Sequence, residues 1–144
     1  MTKTYLISGA GSGIGKAIAQ QLSAEGHNCI LLGRNADNLH QTLQSLSNSG
    51  HIVLTADIKD KKSLSNAVAK LGGITIDGLI ANSGIGGENY WGDDDRWHDI
   101  IETNLTGTYN FVNTFLPYLS KGYSEKHILI TSSILSLINF RTYI

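Results

Sequence analysis

The sequence contains very little cysteine and proline and has no long apolar run. Its 144 residues include one cysteine, one proline and one methionine. A single cysteine excludes an internal disulfide framework, and the position of Cys29 within the apolar residues 29–32 predicts a buried strand residue rather than a nucleophile. No apolar run reaches the roughly 18 residues that a membrane span requires. We therefore expect neither a disulfide scaffold nor a membrane segment.

Neither sign of charge is in excess. The formal net charge is −1 at pH 7, and no cluster of lysine or arginine occurs. This balance argues against nucleic acid and anionic membranes as partners and favours a small-molecule ligand. The histidines are scattered and no His-Glu-x-x-His or paired-cysteine spacing occurs, so no metal site is predicted. The N-terminus shows no signal-peptide pattern, and we expect a cytoplasmic protein. The ordinary proportion of hydrophobic residues, 41%, predicts one globular domain over residues 1–144.

Short apolar runs alternate with helical patterns along the whole chain. The helical patterns place apolar residues three or four positions apart, as at Leu64, Val68 and Leu71, and the longest covers residues 96–119. Such alternation predicts an α/β fold of Rossmann type, a doubly wound parallel sheet of five strands in the order 3-2-1-4-5 with helices on both faces. A cofactor is then expected at the carboxyl ends of the strands, near the change of direction between strands one and four. Pro117 is expected to loosen the last turn of the long helix.

A turn rich in glycine follows the first predicted strand and precedes a helical pattern. Glycine permits a sharp turn and a close approach of the backbone to phosphate, while the N-terminus of a helix offers unpaired N–H groups and the positive end of its dipole. The turn therefore predicts a binding site for the pyrophosphate of a dinucleotide, although any tight connection between a strand and a helix also favours glycine. The candidate residues are Gly9, Ser12, Gly13, Ile14 and Gly15.

Four separated stretches together resemble the short-chain dehydrogenase/reductase family. The sequence SGAGSGIG at residues 8–15 is similar to the TGxxxGIG turn of that family, with serine in place of threonine. ANSG at residues 81–84 resembles the NNAG motif after strand four, Asn104 matches an asparagine on the long helix, and ITSS at residues 130–133 resembles the segment that ends in the catalytic serine. Each stretch alone is also typical of a turn, a polar helix position or a strand end. Together, and in this order, they identify the chain as a member of the family.

The resemblance implies an NAD(P)-dependent oxidoreductase that interconverts a carbonyl and an alcohol by hydride transfer. Ser133 is then the catalytic serine that polarises the substrate, and Asn104 holds a water or backbone arrangement that links the catalytic lysine to solvent. Asp57, together with Ile58, is implied to contact the adenine; capping of the next helix is the alternative role for its carboxylate. Asn82 and Gly84 complete the implied cofactor-binding residues.

Arg34 bears on the choice of cofactor. Residues 33–35 end the second predicted strand, where an acidic residue would bind the 2′-hydroxyl of the ribose and favour NAD. No acid stands there, and the guanidinium of Arg34 can instead pair with a 2′-phosphate. We therefore expect NADP in preference to NAD, the alternative being that Arg34 is a solvated residue of the turn.

The YxxxK pair of the family would fall beyond Ile144, and Tyr143 cannot be followed by the lysine of that pair. The proton-transfer tyrosine needs a neighbouring cation, because an unperturbed tyrosine with a pKa near 10 is a poor base at neutral pH. We expect residues 1–144 to be the N-terminal portion of a longer enzyme. The alternative function is a non-catalytic dinucleotide-binding or interaction module, and a flavin- or sugar-nucleotide-binding domain is a third.

The resemblance also implies an assembly of identical chains. In the family, the helix that corresponds to residues 96–119 commonly packs against its symmetry mate. We therefore expect a homodimer or a homotetramer through this helix, with Phe111, Phe115 and Leu119 facing the neighbouring chain.

Overall fold

A parallel sheet of five strands, flanked by helices on both faces, forms the centre of the computed structural model. The structure describes residues 1–87, 96–119 and 125–133, and Tyr143 lies outside these ranges. The strands follow the order β3-β2-β1-β4-β5, and each neighbouring pair is parallel. The predicted fold and strand order are therefore confirmed. The strands are β1 (Thr4–Ser8), β2 (Asn28–Gly33), β3 (Ile52–Thr55), β4 (Gly78–Ala81) and β5 (His127–Ile130).

The helices connect successive strands. The first three are α1 (Gly13–Ala24), α2 (Ala36–Gln44) and α3 (Lys61–Ala69), and they lie close to the positions where the apolar spacing predicts them. The predicted long helix is divided into α4 (Trp97–Ile101), a π-helix (Glu102–Gly107), α5 (Thr108–Phe115) and a 3-10 turn (Leu116–Tyr118). None of the described helices has the length and apolar character needed to cross a membrane.

Successive residues of each central strand enter two separate cores, because side chains alternate between the faces of a sheet. On β1, Leu6 joins the core beneath α3 and α5, whereas Ile7 joins the core beneath α1 and α2. Both side chains are fully buried. Cys29 is also buried, as predicted, and its burial raises the pKa of the thiol to about 11.

The long helical region corrects one expectation and confirms another. Phe111 and Phe115 do not face a neighbouring chain, because both are fully buried in the core of this chain with their ring centroids 5.4 Å apart. Leu119 is partly buried against the same core. The exposed apolar side chains of this region are Leu105, Tyr109, Leu116 and Tyr118 together with Trp97. Pro117 lies in the 3-10 turn, so the predicted loosening of the last turn is confirmed.

At the amino ends of the strands, polar side chains from nearby loops accept hydrogen bonds from backbone N–H groups. The backbone N–H of Thr4 donates to Asp77 Oδ2 at 2.8 Å, and the N–H of Cys29 donates to His51 Nδ1 at 3.0 Å. The N–H of Lys3 donates to His27 Nδ1 at 3.3 Å. These three backbone donors are thus paired within the chain.

Candidate cofactor site

A cleft of about 410 Å³ opens at the carboxyl ends of the strands. It lies where the strand order changes direction between β1 and β4, the place at which doubly wound sheets bind their ligands. Of the residues predicted to bind a cofactor, nine line this cleft: Gly9, Ser12, Gly13, Ile14, Arg34, Asp57, Ile58, Asn82 and Gly84. Gly15, Asn104 and Ser133 are not among the lining residues.

The turn between β1 and α1 has its shape because three glycines lack side chains. Gly9 and Gly13 have φ angles of +68° and +50°, a region that costs other residues free energy. A Cβ on Gly15 would collide with the carbonyl oxygen of Gly9 and would lie 2.7 Å from Asn82 Nδ2. A Cβ on Gly13 would meet no atom within 4 Å. Gly15 therefore serves the packing of the turn, whereas Gly13 borders open space.

That open space lies at the N-terminus of α1, where the first backbone N–H groups of a helix have no intrahelical partner. Ser12 is the N-cap residue of α1, and its side chain makes no capping hydrogen bond. No acidic residue lies in the first turn of α1. The turn thus offers donors without a local carboxylate, which fits a pyrophosphate.

Ser8 fastens this turn to the loop that follows β4. Its hydroxyl oxygen accepts hydrogen bonds from the backbone N–H of Asn82 at 3.0 Å and of Ser83 at 3.1 Å. The side chain is buried, with 1% of its surface exposed. The serine that replaces the threonine of the family motif therefore connects the turn after β1 with backbone groups of the loop after β4.

Asn82 connects the ends of β4 and β5. Its Oδ1 accepts a hydrogen bond from Thr131 Oγ1 at 3.2 Å, and the backbone N–H of Thr131 donates to the carbonyl of Ala81 at 2.9 Å. Ser133 follows on the same segment and is exposed. Its catalytic role stays a prediction.

Asn104 lies in the π-helix and holds the loop after β4. Its Oδ1 accepts a hydrogen bond from the N–H of Ile85 and its Nδ2 donates to the carbonyl of the same residue, both at 2.8 Å. Gly84 leaves room for this pair, because a Cβ there would lie 3.3 Å from Asn104 Oδ1. π-helical segments are rare and frequent at functional sites. The side chain of Asn104 therefore sets the backbone beside the cleft, while its part in proton transfer stays a prediction.

Asp57 shapes the turn after β3. Its Oδ1 accepts a hydrogen bond from the N–H of Lys59 at 2.9 Å, and its own N–H donates to Ser63 Oγ at 3.1 Å. The N-cap of α3 is Asp60, which accepts from the N–H of Lys62 at 2.8 Å. The alternative role of Asp57 as the cap of that helix is therefore wrong. A contact between its carboxylate and adenine stays a prediction.

Three residues of the long helical region, between β4 and β5, contact the turn after β3 and were missed by sequence reasoning. Asn110 Nδ2 donates to the carbonyl oxygens of Ile58 at 3.3 Å and Lys59 at 3.4 Å. Gly107 allows close packing, since a Cβ there would lie 2.8 Å from the side chain of Ile58. Asp99 pairs with Lys59 Nζ at 2.7 Å. This hydrogen bond lowers the pKa of Asp99 and raises that of Lys59. No local motif marks these residues, because their partners are distant in sequence.

Arg34 is exposed at the end of β2 and lines the cleft. Asn35 follows it and caps α2, since its side chain accepts a hydrogen bond from the N–H of Asn38 at 3.0 Å. Asn35 and Asn38 also line the cleft. Arg34 thus stands beside the N-terminus of α2, whose first turn also carries Asp37. The guanidinium is the group there that suits an anion. Within the described ranges, no group of three or more His, Cys, Asp or Glu side chains is placed to hold a metal ion.

Comparisons with known proteins agree with this geometry. The family model described as short chain dehydrogenase matches residues 3–143. The (-)-trans-carveol dehydrogenase of Rhodococcus erythropolis is 32% identical, in an alignment that covers 89% of this chain and 53% of that enzyme. This chain therefore spans about half the length of that curated relative.

Two solved structures show the same likeness. The short chain dehydrogenase of Mycobacterium paratuberculosis bound to NAD is 25% identical, with a TM-score of 0.82, and the match covers 99% of this chain and 59% of that one. The alcohol dehydrogenase of Thermococcus sibiricus complexed with 5-hydroxy-NADP is 26% identical, with a TM-score of 0.86, and the match covers 99% and 63% respectively.

Proposed function

Because the chain belongs to the short-chain dehydrogenase/reductase family, we propose that the protein is an NAD(P)-dependent oxidoreductase that interconverts a carbonyl and an alcohol in a small-molecule substrate. The observation that carries this proposal is that the glycine turn after β1, Arg34, Asp57 and Asn82 all line the same cleft. When bound, the nicotinamide ring of the cofactor supplies or accepts the hydride. The names of the carveol and alcohol dehydrogenases support a carbonyl or alcohol substrate.

Different residues of the cleft bind different parts of the cofactor. The N-terminus of α1 and the open space at Gly13 hold the pyrophosphate by backbone donors and the helix dipole. Asp57 uses the carboxylate oxygen that does not accept from Lys59 to receive a hydrogen bond from adenine. Asn82, fixed by Thr131, positions the part of the cofactor that lies over β4.

We propose that the cofactor is NADP rather than NAD. Arg34 pairs its guanidinium with the 2′-phosphate, a charge-assisted contact worth roughly 1.5–3 kcal/mol, or about 10- to 100-fold in affinity. Arg34→Ala is expected to weaken binding of NADPH by that factor and to leave binding of NADH within about twofold. Lys61→Ala, which removes an exposed cation outside the cleft, is the control. Binding of NADH as tightly as NADPH by the unaltered protein would contradict the preference.

Ser133 is proposed as the catalytic hydroxyl that donates a hydrogen bond to the carbonyl oxygen of the substrate. Asn104 is proposed as the residue that positions the backbone at Ile85. The experiment measures oxidation of NADPH with a panel of ketones and aldehydes in the full-length protein. Ser133→Ala is expected to lower turnover by at least about 100-fold while NADPH binds with unchanged affinity. Binding of NADPH without turnover on any carbonyl would favour the non-catalytic module instead.

A homodimer or homotetramer through residues 96–119 is part of the same proposal. Its contact surface differs from the predicted one, because Phe111 and Phe115 are buried, whereas Leu105, Tyr109 and Leu116 are among the apolar side chains that α5 and its neighbours expose. Sedimentation of Tyr109→Glu is expected to show smaller species than the unaltered protein. Lys61→Glu on α3 is the matched control, and an equal mass for the unaltered protein and Tyr109→Glu would contradict the proposed surface.

A further inference from the structure

A buried hydroxyl at the wall of the cleft has no hydrogen-bond partner within the described residues. Thr103 lies in the π-helix, lines the cleft and is 5% exposed. Its Oγ1 is buried and makes no hydrogen bond in the part of the chain that the structure describes. Buried polar groups are normally paired, because an unpaired one loses its bonds to water without replacement. Thr103 therefore offers a donor and an acceptor to a ligand in the cleft.

The position of Thr103 along the helix indicates which end of the cleft it serves. Gly107, about one turn later, packs against the side chain of Ile58. Asn110, on the following turn, donates to the carbonyl oxygen of the same residue. Thr103, Gly107 and Asn110 are all buried, so they form one inward face that meets the turn after β3. Asp57 on that turn also lines the cleft.

We propose that Thr103 is a further cofactor-binding residue, whose hydroxyl makes a hydrogen bond to the adenosine half of the dinucleotide. The proposal rests on the proposed function, since it requires a nicotinamide dinucleotide in the cleft. Adenine and ribose both carry hydrogen-bond donors and acceptors, and Thr103 lines the cleft together with Asp57 and Ile58. The bound cofactor then forms a hydrogen bond with a hydroxyl that the described residues leave unpaired.

The test compares two threonines that share burial and lack of a partner but differ in position. Thr42 on α2 is fully buried, its Oγ1 has no hydrogen-bond partner among the described residues, and it does not line the cleft. Thr103→Val and Thr42→Val each replace the hydroxyl by a methyl group of similar shape. The affinities of the full-length variants for NADPH and for 5′-AMP are measured by calorimetry, alongside their thermal stability.

Thr103→Val is expected to bind both ligands about tenfold more weakly, whereas Thr42→Val keeps the affinity of the unaltered protein. Neither variant is expected to lose thermal stability, because each removes an unpaired hydroxyl. Thr103→Ser, which keeps the hydroxyl, is expected to retain affinity within about twofold. If Thr103→Val does not fold, Thr103→Ala gives the same comparison.

Several outcomes overturn the inference. Unchanged affinity of Thr103→Val for both ligands shows that the hydroxyl makes no contact with the cofactor. Weaker binding of NADPH with unchanged binding of 5′-AMP shows that the contact lies outside the adenosine half. An equal loss in Thr42→Val shows a general effect of repacking. If the unaltered protein binds neither NADPH nor NADH, the proposed function itself fails, and that result is distinct from the others.

Discussion

The two edges of the parallel sheet differ in how their polar groups are used: the amino edge pairs backbone N–H groups with side chains of nearby loops, whereas the carboxyl edge leaves groups that face the cleft unpaired within the described part of the chain. At the amino edge, Asp77 and His51 accept hydrogen bonds from the backbone N–H groups of neighbouring strands. At the carboxyl edge, the N-terminus of α1 borders open space at Gly13, and the hydroxyl of Thr103 has no partner within the described residues. Internal pairing at the amino edge stabilises the fold, whereas unpaired groups at the carboxyl edge are available to a ligand.

Helix α1 runs from one edge to the other and makes the contrast testable. It begins at Gly13 beside the cleft and is followed by Gly26 at the opposite edge. Both glycines have positive φ angles, and a Cβ on either would meet no atom within 4 Å. The same substitution at these two positions therefore produces the same kind of backbone strain at edges with different roles.

The largest effect is expected from Gly15→Ala, in the turn between β1 and α1. Its Cβ would collide with the carbonyl of Gly9, although alanine is otherwise favourable in a helix. We expect a loss of about 3 kcal/mol or more in the free energy of unfolding, because backbone must shift to admit one methyl group. Chemical denaturation measures the loss, and NADPH binding is expected to fall with it. A stability equal to that of the unaltered protein would show that the backbone of the turn shifts to admit the methyl group without a loss in the free energy of unfolding.

A smaller and more selective effect is expected from Gly13→Ala. The positive φ should cost about 1–2 kcal/mol of stability, and the new Cβ should occupy the open space proposed for the pyrophosphate, weakening NADPH binding at least about tenfold. Gly26→Ala is the matched control, with the same expected loss of stability and no loss of affinity. Equal NADPH affinities in the two variants would show that the pyrophosphate does not bind at this position.

How far the sequence could predict these features depends on whether the cause is local. The strand order follows from alternating patterns, and the turn from glycines that are close together in sequence. The role of Ser8 was predictable because a hydroxyl in a tight turn has backbone groups within reach. The residues predicted to bind a cofactor at four strand ends line one cleft, because parallel strands end at one edge of the sheet.

The remaining features depend on contacts between distant segments. Phe111 and Phe115 were wrongly expected to face another chain, because helical spacing identifies an apolar face without identifying what covers it. The bonds from Asn110 to the turn after β3 join residues about 50 apart, so no short pattern marks them. The π-helix around Asn104 was also missed. The helix was predicted from the spacing of its apolar residues, and the polar residues of the π-helix do not alter that spacing.

A third prediction concerns Ser8, which joins the turn after β1 to the loop after β4. Ser8→Ala removes the acceptor of two backbone N–H groups at a buried position. We expect a loss of about 2 kcal/mol in the free energy of unfolding, because unpaired buried donors cost roughly 1–3 kcal/mol. Ser8→Thr keeps the hydroxyl and is expected to stay within about 1 kcal/mol. Urea denaturation measures both variants, and an equal loss in each would assign the effect to packing instead of hydrogen bonding.

The smallest effect belongs to the amino edge and depends on pH. Burial lowers the pKa of His51 below 6.5, against a weaker opposing effect of a backbone hydrogen bond at Asn48. The neutral ring accepts a hydrogen bond from the N–H of Cys29 through Nδ1 at 3.0 Å. Protonation would remove that acceptor and place a charge in a partly buried site.

The sign of the pH dependence follows from this lowered pKa. As the pH falls below 6.5, the unfolded chain binds a proton at His51 more readily than the folded chain, so folding loses stability. The loss begins near the unfolded pKa and stops growing below the folded one. His51→Asn offers an amide oxygen in place of Nδ1 and does not titrate. We therefore expect this variant to lose less stability than the unaltered protein between pH 7 and pH 5, as measured by urea denaturation at both values. NADPH affinity at pH 7 should be equal in the two proteins, because His51 lies at the edge away from the cleft. If both proteins lose the same stability between pH 7 and pH 5, His51 contributes nothing to the pH dependence of stability.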